Sequence, residues 1–484
     1  MDYFEYTSPE NAGIDSGEVT GFINDIENMG ICFHSFILLR HGKIFAEGYE
    51  KHFSKDYKHR LYSISKTYTS AAIGCLIGEG KLSLDDKVYK FFPDKCPDNL
   101  HPYVKDTTIR HLLMMATPFD ETTYSPEDSD WVYTFFNTKP SHRPGSVFNY
   151  DTSGTLVLCA VVERITGMDF TKYLYEKVLK YIGYDEAPEC VREPAGVQWG
   201  GSGVFATSRE LAAFALLFMN SGRNKDGIQL IPENYVNEAI KPQICNLENN
   251  ECSPFRGQGY GYKIWSTSRG FAFLGMGNQL AICFPKEDIL LVCTSDDQGN
   301  GYAREYIFDF VQKHIVDTCR EGKCESGAPL LLDGMLHLAM PVCTPVTPDF
   351  KANGFTYKML ENKYGFDNIT FDISETEGTM TYYRFGKKKV LNFGINCFKD
   401  GYFPEDDYSG MTINTPEGQY KCAAAGVWAE KDKLILRIYV IDKYFGNTTM
   451  NVSFKDGGLD FKMRSTAEWF LKEYRGYLSS ENTL

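Results

Sequence analysis

The sequence predicts an α/β (α+β) fold, an antiparallel sheet flanked by helices with a helical subdomain, followed by an all-β, barrel-like domain. Strand patterns stand near both ends of residues 1–318, with helical patterns between them. Pro341, Pro345 and Pro348 accumulate in a stretch of weak periodicity. Beyond Phe350, alternating runs recur at a spacing of about eight to twelve residues, separated by Gly, Asn and Asp turns. At 484 residues the chain also exceeds what one hydrophobic core usually supports. The expected organisation is a first domain at 1–318, a linker at 319–349 and a β-rich domain at 350–484.

The elements follow in order. An amphipathic stretch from Ser16 to Met29 reads as a helix, and Ser35 to Gly48 reads as two strands joined at His41-Gly42. Ser63 to Gly80 is a helix-length segment rich in Ala, Ile and Thr that Ser63 is expected to open; Gly80 and the following Lys-Leu-Ser-Leu-Asp-Asp86 supply its stop. From Ile109 to about Ile240, helical patterns alternate with loops such as Arg143-Pro144-Gly145 and Trp199-Gly200-Gly201-Ser202-Gly203. Strand character returns at Gly270 to Gly275 and Asp288 to Thr294, and a helix is expected from Ala303 to Val316. The first and last strands of this domain should therefore share one antiparallel sheet. In the second domain the clearest runs are Asn368 to Ile373 and Lys433 to Ile441.

Composition narrows the function. Hydrophobic residues make up 43% and charged residues 24%, which is ordinary for globular chains. A formal charge of −14 disfavours nucleic acid and anionic membrane as partners, so a small-molecule substrate is expected. The N-terminus has no basic segment followed by an apolar one, and no run is long enough to span a bilayer, which points to a soluble, cytoplasmic protein. The fourteen cysteines lack CxxC pairs and sit mostly in apolar surroundings, as free buried thiols would. The nine histidines form neither HxH nor HExxH, and neither a metal nor an organic cofactor is expected.

A serine hydroxyl needs a base to become a nucleophile at neutral pH. Ser63-Ile64-Ser65-Lys66 is the only Ser-x-x-Lys in the chain, and on a helix its end residues share one face about one turn apart. No Gly-x-Ser-x-Gly elbow competes with it, and Gly201-Ser202-Gly203 has no base in its own segment. Trp199, Tyr124 and Trp131 are candidates for pocket walls or for ordinary core.

The run Leu61 to Gly74 with Gly78 to Val88, together with Ile109 to Met114, Pro144 to Leu156 and Gly200 to Thr207, resembles the class C β-lactamase, penicillin-binding-protein and esterase family over about the first 315 residues. By that resemblance Ser63 is the nucleophile, and Tyr150, in a Tyr-x-Asn-like position, hydrogen-bonds it and shares acid/base work with Lys66. Thr152 stands where the family commonly has Asn, which weakens or alters substrate binding there. The third family element, Lys-Thr-Gly or His-x-Gly on an edge strand, is matched best by Gly275-Met276-Gly277-Asn278, so the N–H groups of Ser63 and Asn278 are the expected oxyanion donors. A cation is missing at position 275, from which a preference for uncharged substrates is expected. The β-rich domain resembles the lipocalin-like modules appended to some of these hydrolases.

The expected reaction is acyl transfer to Ser63 followed by hydrolysis of a small ester or amide, in the manner of a carboxylesterase. The alternatives are a β-lactamase or D-amino-acid peptidase or amidase, and, from another class, a non-catalytic ligand sensor.

Overall fold

The computed structural model describes residues 3–247, 253–323, 325–344, 346–348, 353–405, 420–442, 445–455, 457–466 and 474–481. Its chain groups into two compact units, the first running to His337 and the second beginning at Leu338.

The first unit opens with strand β1 (Glu5–Tyr6) and helix α1 (Ser16–Asn28), which Asp15 caps by accepting from the Gly17 N–H at 2.7 Å. Strands β2 (Phe33–Arg40) and β3 (Lys43–Tyr49) form the expected hairpin, and His41 and Gly42 both take positive φ, as a tight two-residue turn between twisted strands demands. Strand β4 (His59–Arg60) leads through a 3₁₀ turn at Tyr62–Ile64 into helix α2 (Ser65–Gly78). Ser63 therefore lies in the turn before the helix, two residues ahead of it. Helices α3 (Pro102–Asp106), α4 (Ile109–Leu113), α5 (Trp131–Asn137), α6 (Ser153–Thr166) and α7 (Phe170–Lys177) build the helical subdomain. Strand β5 (Phe205–Ala206) pairs with β4, and helices α8 (Ser208–Met219) and α9 (Glu233–Ala239) follow.

The chain then returns to the sheet through β6 (Trp265–Thr267), β7 (Gly270–Gly275), β8 (Gln279–Phe284) and β9 (Ile289–Ser295). Helix α10 (Ala303–Val311) continues into a π turn at Gln312–Val316, and a short strand β10 (Leu330–Leu331) completes the unit. The sheet order is β1-β3-β2-β9-β8-β7-β6, with β10 beside β3. First and last strands meet antiparallel as expected, β2 against β9, whereas β1 and β10 run parallel to β3.

Strands β2, β8 and β9 are buried on both faces, so their apolar residues run on without alternation. One face packs Val19, Phe22, Ile23 and Ile26 of α1 and Ile307, Phe308 and Val311 of α10 against Phe36, Leu38, Ile282 and Leu291. Each such side chain contributes roughly 1.5–3 kcal/mol by leaving water. Helix α8 covers the other face, held at its start by a capping box between Thr207 and Glu210. Among the described residues, no helix is long and apolar enough to cross a membrane. The described cysteines are outside disulfides; Cys283 and Cys293 are buried, while Cys245 and Cys397 are exposed.

The stretch read as a linker divides in two. Residues 319–337 group with the first unit, where the Arg320 N–H donates to Gly13 O at 2.9 Å and β10 pairs with β3. The expected border at Phe350, like Pro345, lies outside the described residues.

In the second unit, Phe366–Ile373, Glu377–Arg384 and Lys387–Ile395 form an antiparallel meander, and a parallel step joins it to Lys421–Glu430, Lys433–Val440, Gly446–Ser453 and Asp460–Thr466. Burial alternates along these strands, so one face is apolar and the other polar. The sheet curls until its ends meet: Met359 bridges Ser480, and the Glu481 N–H donates to Lys358 O at 2.8 Å. The curled sheet encloses Phe371, Tyr382, Phe393 and Leu436. It also holds a buried carboxylate, Glu405, between Arg384 at 3.2 Å, Lys389 at 3.1 Å and the Tyr474 hydroxyl at 2.7 Å.

Candidate active site

Helix α2 runs through the middle of the first unit and is buried on all sides from Ser65 to Leu76. Its polar side chains are therefore spent on the loops around it, as buried polar groups must be. The Ser65 hydroxyl accepts from the Val204 N–H at 2.9 Å, and Thr67 donates to Lys263 O at 3.0 Å. Ser63 is the partly exposed position in this otherwise buried run from Leu61. Tyr62, just before it, takes a positive φ of 48°, a strained backbone for a bulky residue.

Lys66, 1% exposed, donates to the Ser63 hydroxyl at 2.8 Å and to Gly201 O at 2.7 Å. The carbonyl of Gly201 is held in place by its loop. The β4–β5 ribbon anchors it, with the Leu61 N–H donating to Val204 O at 2.8 Å, and Arg60 binds Ser202 O at 2.9 Å and its hydroxyl at 3.1 Å. A Cβ on Gly201 would lie 2.3 Å from Cγ2 of Thr152, so only glycine lets the loop approach the start of α6 this closely. Thr152 thus borders the carbonyl that orients Lys66.

The Tyr150 segment is strapped to the turn after α4: the Asn149 N–H donates to Met115 O at 2.8 Å and its side chain to Phe119 O at 2.9 Å. The half-buried Tyr150 ring stacks on Trp265, centroids 5.3 Å apart, and stands edge-on to Tyr260 at 6.2 Å. This stacking sets the ring plane, and Lys66 Nζ lies over its face, 4.9 Å from the centroid. Lys66 Nζ thus meets Tyr150 at its ring face. Burial pushes the Tyr260 hydroxyl well above the usual tyrosine range, and the neighbouring Tyr150 adds to that.

Met276, Gly277 and Asn278 form the turn between β7 and β8, with positive φ at Gly277 and Asn278. Strand β7 packs against the 3₁₀ turn that carries Ser63. A Cβ on Gly275 would meet Leu61 O at 2.4 Å, so this approach leaves no room for the lysine of the family's third element. The Asn278 side chain turns toward Asp297. The β7–β8 turn is braced by the end of β9: the Ser295 hydroxyl donates to Gly277 O at 2.5 Å, and the Asp297 N–H to the same carbonyl at 3.2 Å.

The aromatic candidates are core. Tyr124 stacks on Trp131 at 4.1 Å, Trp199 packs edge-on to Trp131, and the Trp199 indole donates to the Tyr124 hydroxyl at 2.8 Å; all three are buried. Sequence reasoning missed Lys263, Tyr260, Trp265 and Arg304, which reach the site from segments distant in sequence. Arg304, half-buried at the start of α10, has a buried Nε with no hydrogen-bond partner among the described residues. Burial lowers its guanidinium from the usual value, against the pull of Glu305 and Tyr150.

A family model described as Beta-lactamase matches residues 34–312. The chain is 23% identical over 282 residues to the 6-aminohexanoate-dimer hydrolase of Paenarthrobacter ureafaciens, covering 54% of this chain and 72% of that protein. It is 27% identical over 173 residues to Protein flp of Staphylococcus aureus strain NCTC 8325 / PS 47, but spans only 34% of that relative's length and 32% of its own. A solved structure from Bacteroides dorei DSM 17855, described as a beta-lactamase, shares the fold with a TM-score of 0.51 at 15% identity, over 62% of this chain and 98% of that one.

Proposed function

The chain belongs to the beta-lactamase family, whose members are serine hydrolases, and within it we propose that this protein forms an acyl-enzyme on Ser63 and hydrolyses a small ester or amide. The observation that carries this reading is the 2.8 Å contact between Lys66 Nζ and the hydroxyl of the one partly exposed residue in an otherwise buried segment. Ser63 Oγ attacks the substrate carbonyl carbon and its proton passes to Lys66, with Tyr150 serving as partner in the transfer. The carbonyl oxygen becomes an oxyanion that receives the Ser63 and Asn278 N–H groups, each worth roughly 3 kcal/mol. Collapse expels the alcohol or amine with a proton returned to it, and water then cleaves the Ser63 ester by the same steps. A carboxylesterase-like preference for uncharged short-chain esters follows from glycine at 275. The lipocalin-like character of the second unit belongs to this proposal too, its curled, mostly antiparallel sheet being the support.

A second reading, a substrate bearing a carboxylate as β-lactams and peptide C-termini do, is favoured by Arg304, which lies beside Tyr150 and whose buried Nε has no hydrogen-bond partner among the described residues. Labelling with a fluorophosphonate and mapping the adduct tests the nucleophile; an unlabelled Ser63 in folded protein would favour a non-catalytic sensor. Matched pairs of free acid and methyl ester with one scissile bond, run beside nitrocefin and D-amino-acid amides, separate the two substrate classes. Faster turnover of the ester supports the first reading, and of the acid the second.

A further inference from the structure

Lys263 is a buried ionisable group that the reaction scheme leaves unused, and it is set against the same turn of α2 as Lys66. It is 2% exposed, and its backbone is fixed from both sides: the N–H donates to Leu113 O at 3.0 Å and the carbonyl accepts from the Thr67 hydroxyl at 3.0 Å. Its φ of 61° is a left-handed conformation that residues with a Cβ rarely adopt. A charged lysine carries three N–H donors, each in need of an acceptor when buried. Lys263 Nζ finds a thioether, Met115 Sδ, at 3.1 Å.

The ionisable groups facing it are Lys66 from α2, Asp151 from the segment before α6 and the Cys159 thiol of α6. The Asp151 carboxylate is already occupied, accepting from the Ser153 N–H at 2.8 Å, the Ser153 hydroxyl at 2.5 and 2.6 Å and the Thr117 hydroxyl at 3.1 Å. An ammonium at Lys263 would thus stand beside a second basic side chain with one weak acceptor, Met115 Sδ.

We propose that Lys263 folds as a neutral amine and is a positioning residue for the Ser63–Lys66 pair, filling the wall behind Lys66 without adding charge to it. Burial drives the Lys263 amine well below the usual lysine range, Lys66 pushes the same way and Asp151 opposes. When acid protonates Lys263, its ammonium opposes the positive charge that Lys66 acquires on taking the Ser63 proton, and so disfavours the attack. This role rests on the Ser63 reading above, whereas the neutrality of Lys263 does not.

Two measurements on Lys263→Met, a neutral replacement of similar length, keep these apart. The first is denaturant unfolding of both proteins between about pH 6 and 9. Unfolding exposes a lysine that takes up a proton which the folded residue lacks, so raising the pH favours the fold of the wild type. The wild-type unfolding constant divided by that of the variant should therefore fall about tenfold per pH unit above the folded-state pKa. A ratio independent of pH would overturn the neutral amine. The second is the rate of fluorophosphonate labelling of Ser63, each protein normalised to its own rate near pH 8. Below the pH at which the unfolding ratio levels off, where folded Lys263 takes its proton, the variant should retain at least tenfold more of that rate than the wild type; superimposable profiles there would overturn the positioning role. Absence of labelling in the wild type would remove the Ser63 reading and the positioning role with it, leaving the unfolding ratio to decide the charge of Lys263. Should the methionine variant not fold, Lys263→Gln carries the same two comparisons.

Discussion

Ser63, Lys66 and Gly275 make different demands on their surroundings, and substitutions at each should fail differently. Ser63→Ala removes a half-exposed hydroxyl and the covalent step, so it should abolish ester turnover while thermal unfolding stays within about 0.5 kcal/mol of wild type. Retained turnover would dismiss Ser63 as nucleophile. Lys66→Ala and Tyr150→Phe should each slow acylation by about two to four orders of magnitude, read by stopped-flow on an activated ester. A rate unchanged in Tyr150→Phe would mean that only the ring, stacked on Trp265 and facing Lys66, is used. Gly275→Ala forces a Cβ toward Leu61 O, 2.4 Å away, and must displace either β7 or the turn carrying Ser63. It should cost about 1–3 kcal/mol and slow acylation more than tenfold. Ser63 and Lys66 were legible because their spacing is local. Lys263 and Arg304 were not, because their meaning arises only when distant segments fold against α2 and Tyr150.

At the scale of elements, what the sequence shows depends on whether a strand has one wet face. The hairpin at His41-Gly42 and the strand Gly270–Gly275 were legible from turn residues and apolar runs. Strand β8 was missed although it is apolar, since burial on both faces erases the period that separates strand from helix. The two-residue strands β1 and β10 are too short to carry any period. The β7–β8 turn and the end of β9 form one braced unit around Asp297, whose carboxylate accepts from the Cys32 N–H at 3.0 Å. Burial raises the Asp297 carboxyl to about 7, against the pull of that N–H. Its unfolded value lies near 4, so between about pH 4 and 7 the folded chain holds a proton that the unfolded chain has lost. Its contribution to stability is therefore full below about pH 4, falls by up to about 1.4 kcal/mol per pH unit through that window, and is level above 7. Asp297→Asn keeps the uncharged form at every pH. Chemical denaturation should show the variant gaining on the wild type as pH rises from 4 to 7, and a constant difference would clear Asp297 of the titration.

For the whole molecule, the proline-rich stretch signalled a division but not where it falls, because periodicity weakens alike in a free linker and in a strap bound through its backbone. Residues 319–337 are such a strap. Arg40 donates to Arg320 O at 2.6 Å, Thr7 to Glu325 O at 2.7 Å, and Leu332 and Leu336 enter the core between the sheet and α1. Beyond Leu338, which is buried, Pro341 to Thr344 are free of helix and strand, and Val342 is 99% exposed. A protease needs a segment of several residues that can leave the fold, and removing the strap would break both backbone pairing and core contacts. Limited proteolysis should therefore cut at about 339–344 and spare 320–337, a narrower target than the whole stretch from Cys319 to Pro348. The larger product, ending near His337, contains Ser63, Lys66, Tyr150 and Asn278 together with every strand of their sheet. It should keep the fluorophosphonate reactivity of the intact chain. First cleavage inside 320–337 would show that the strap opens before the segment after it, and a reactive protein that loses labelling on a cut near Val342 would make the second unit a requirement of the site.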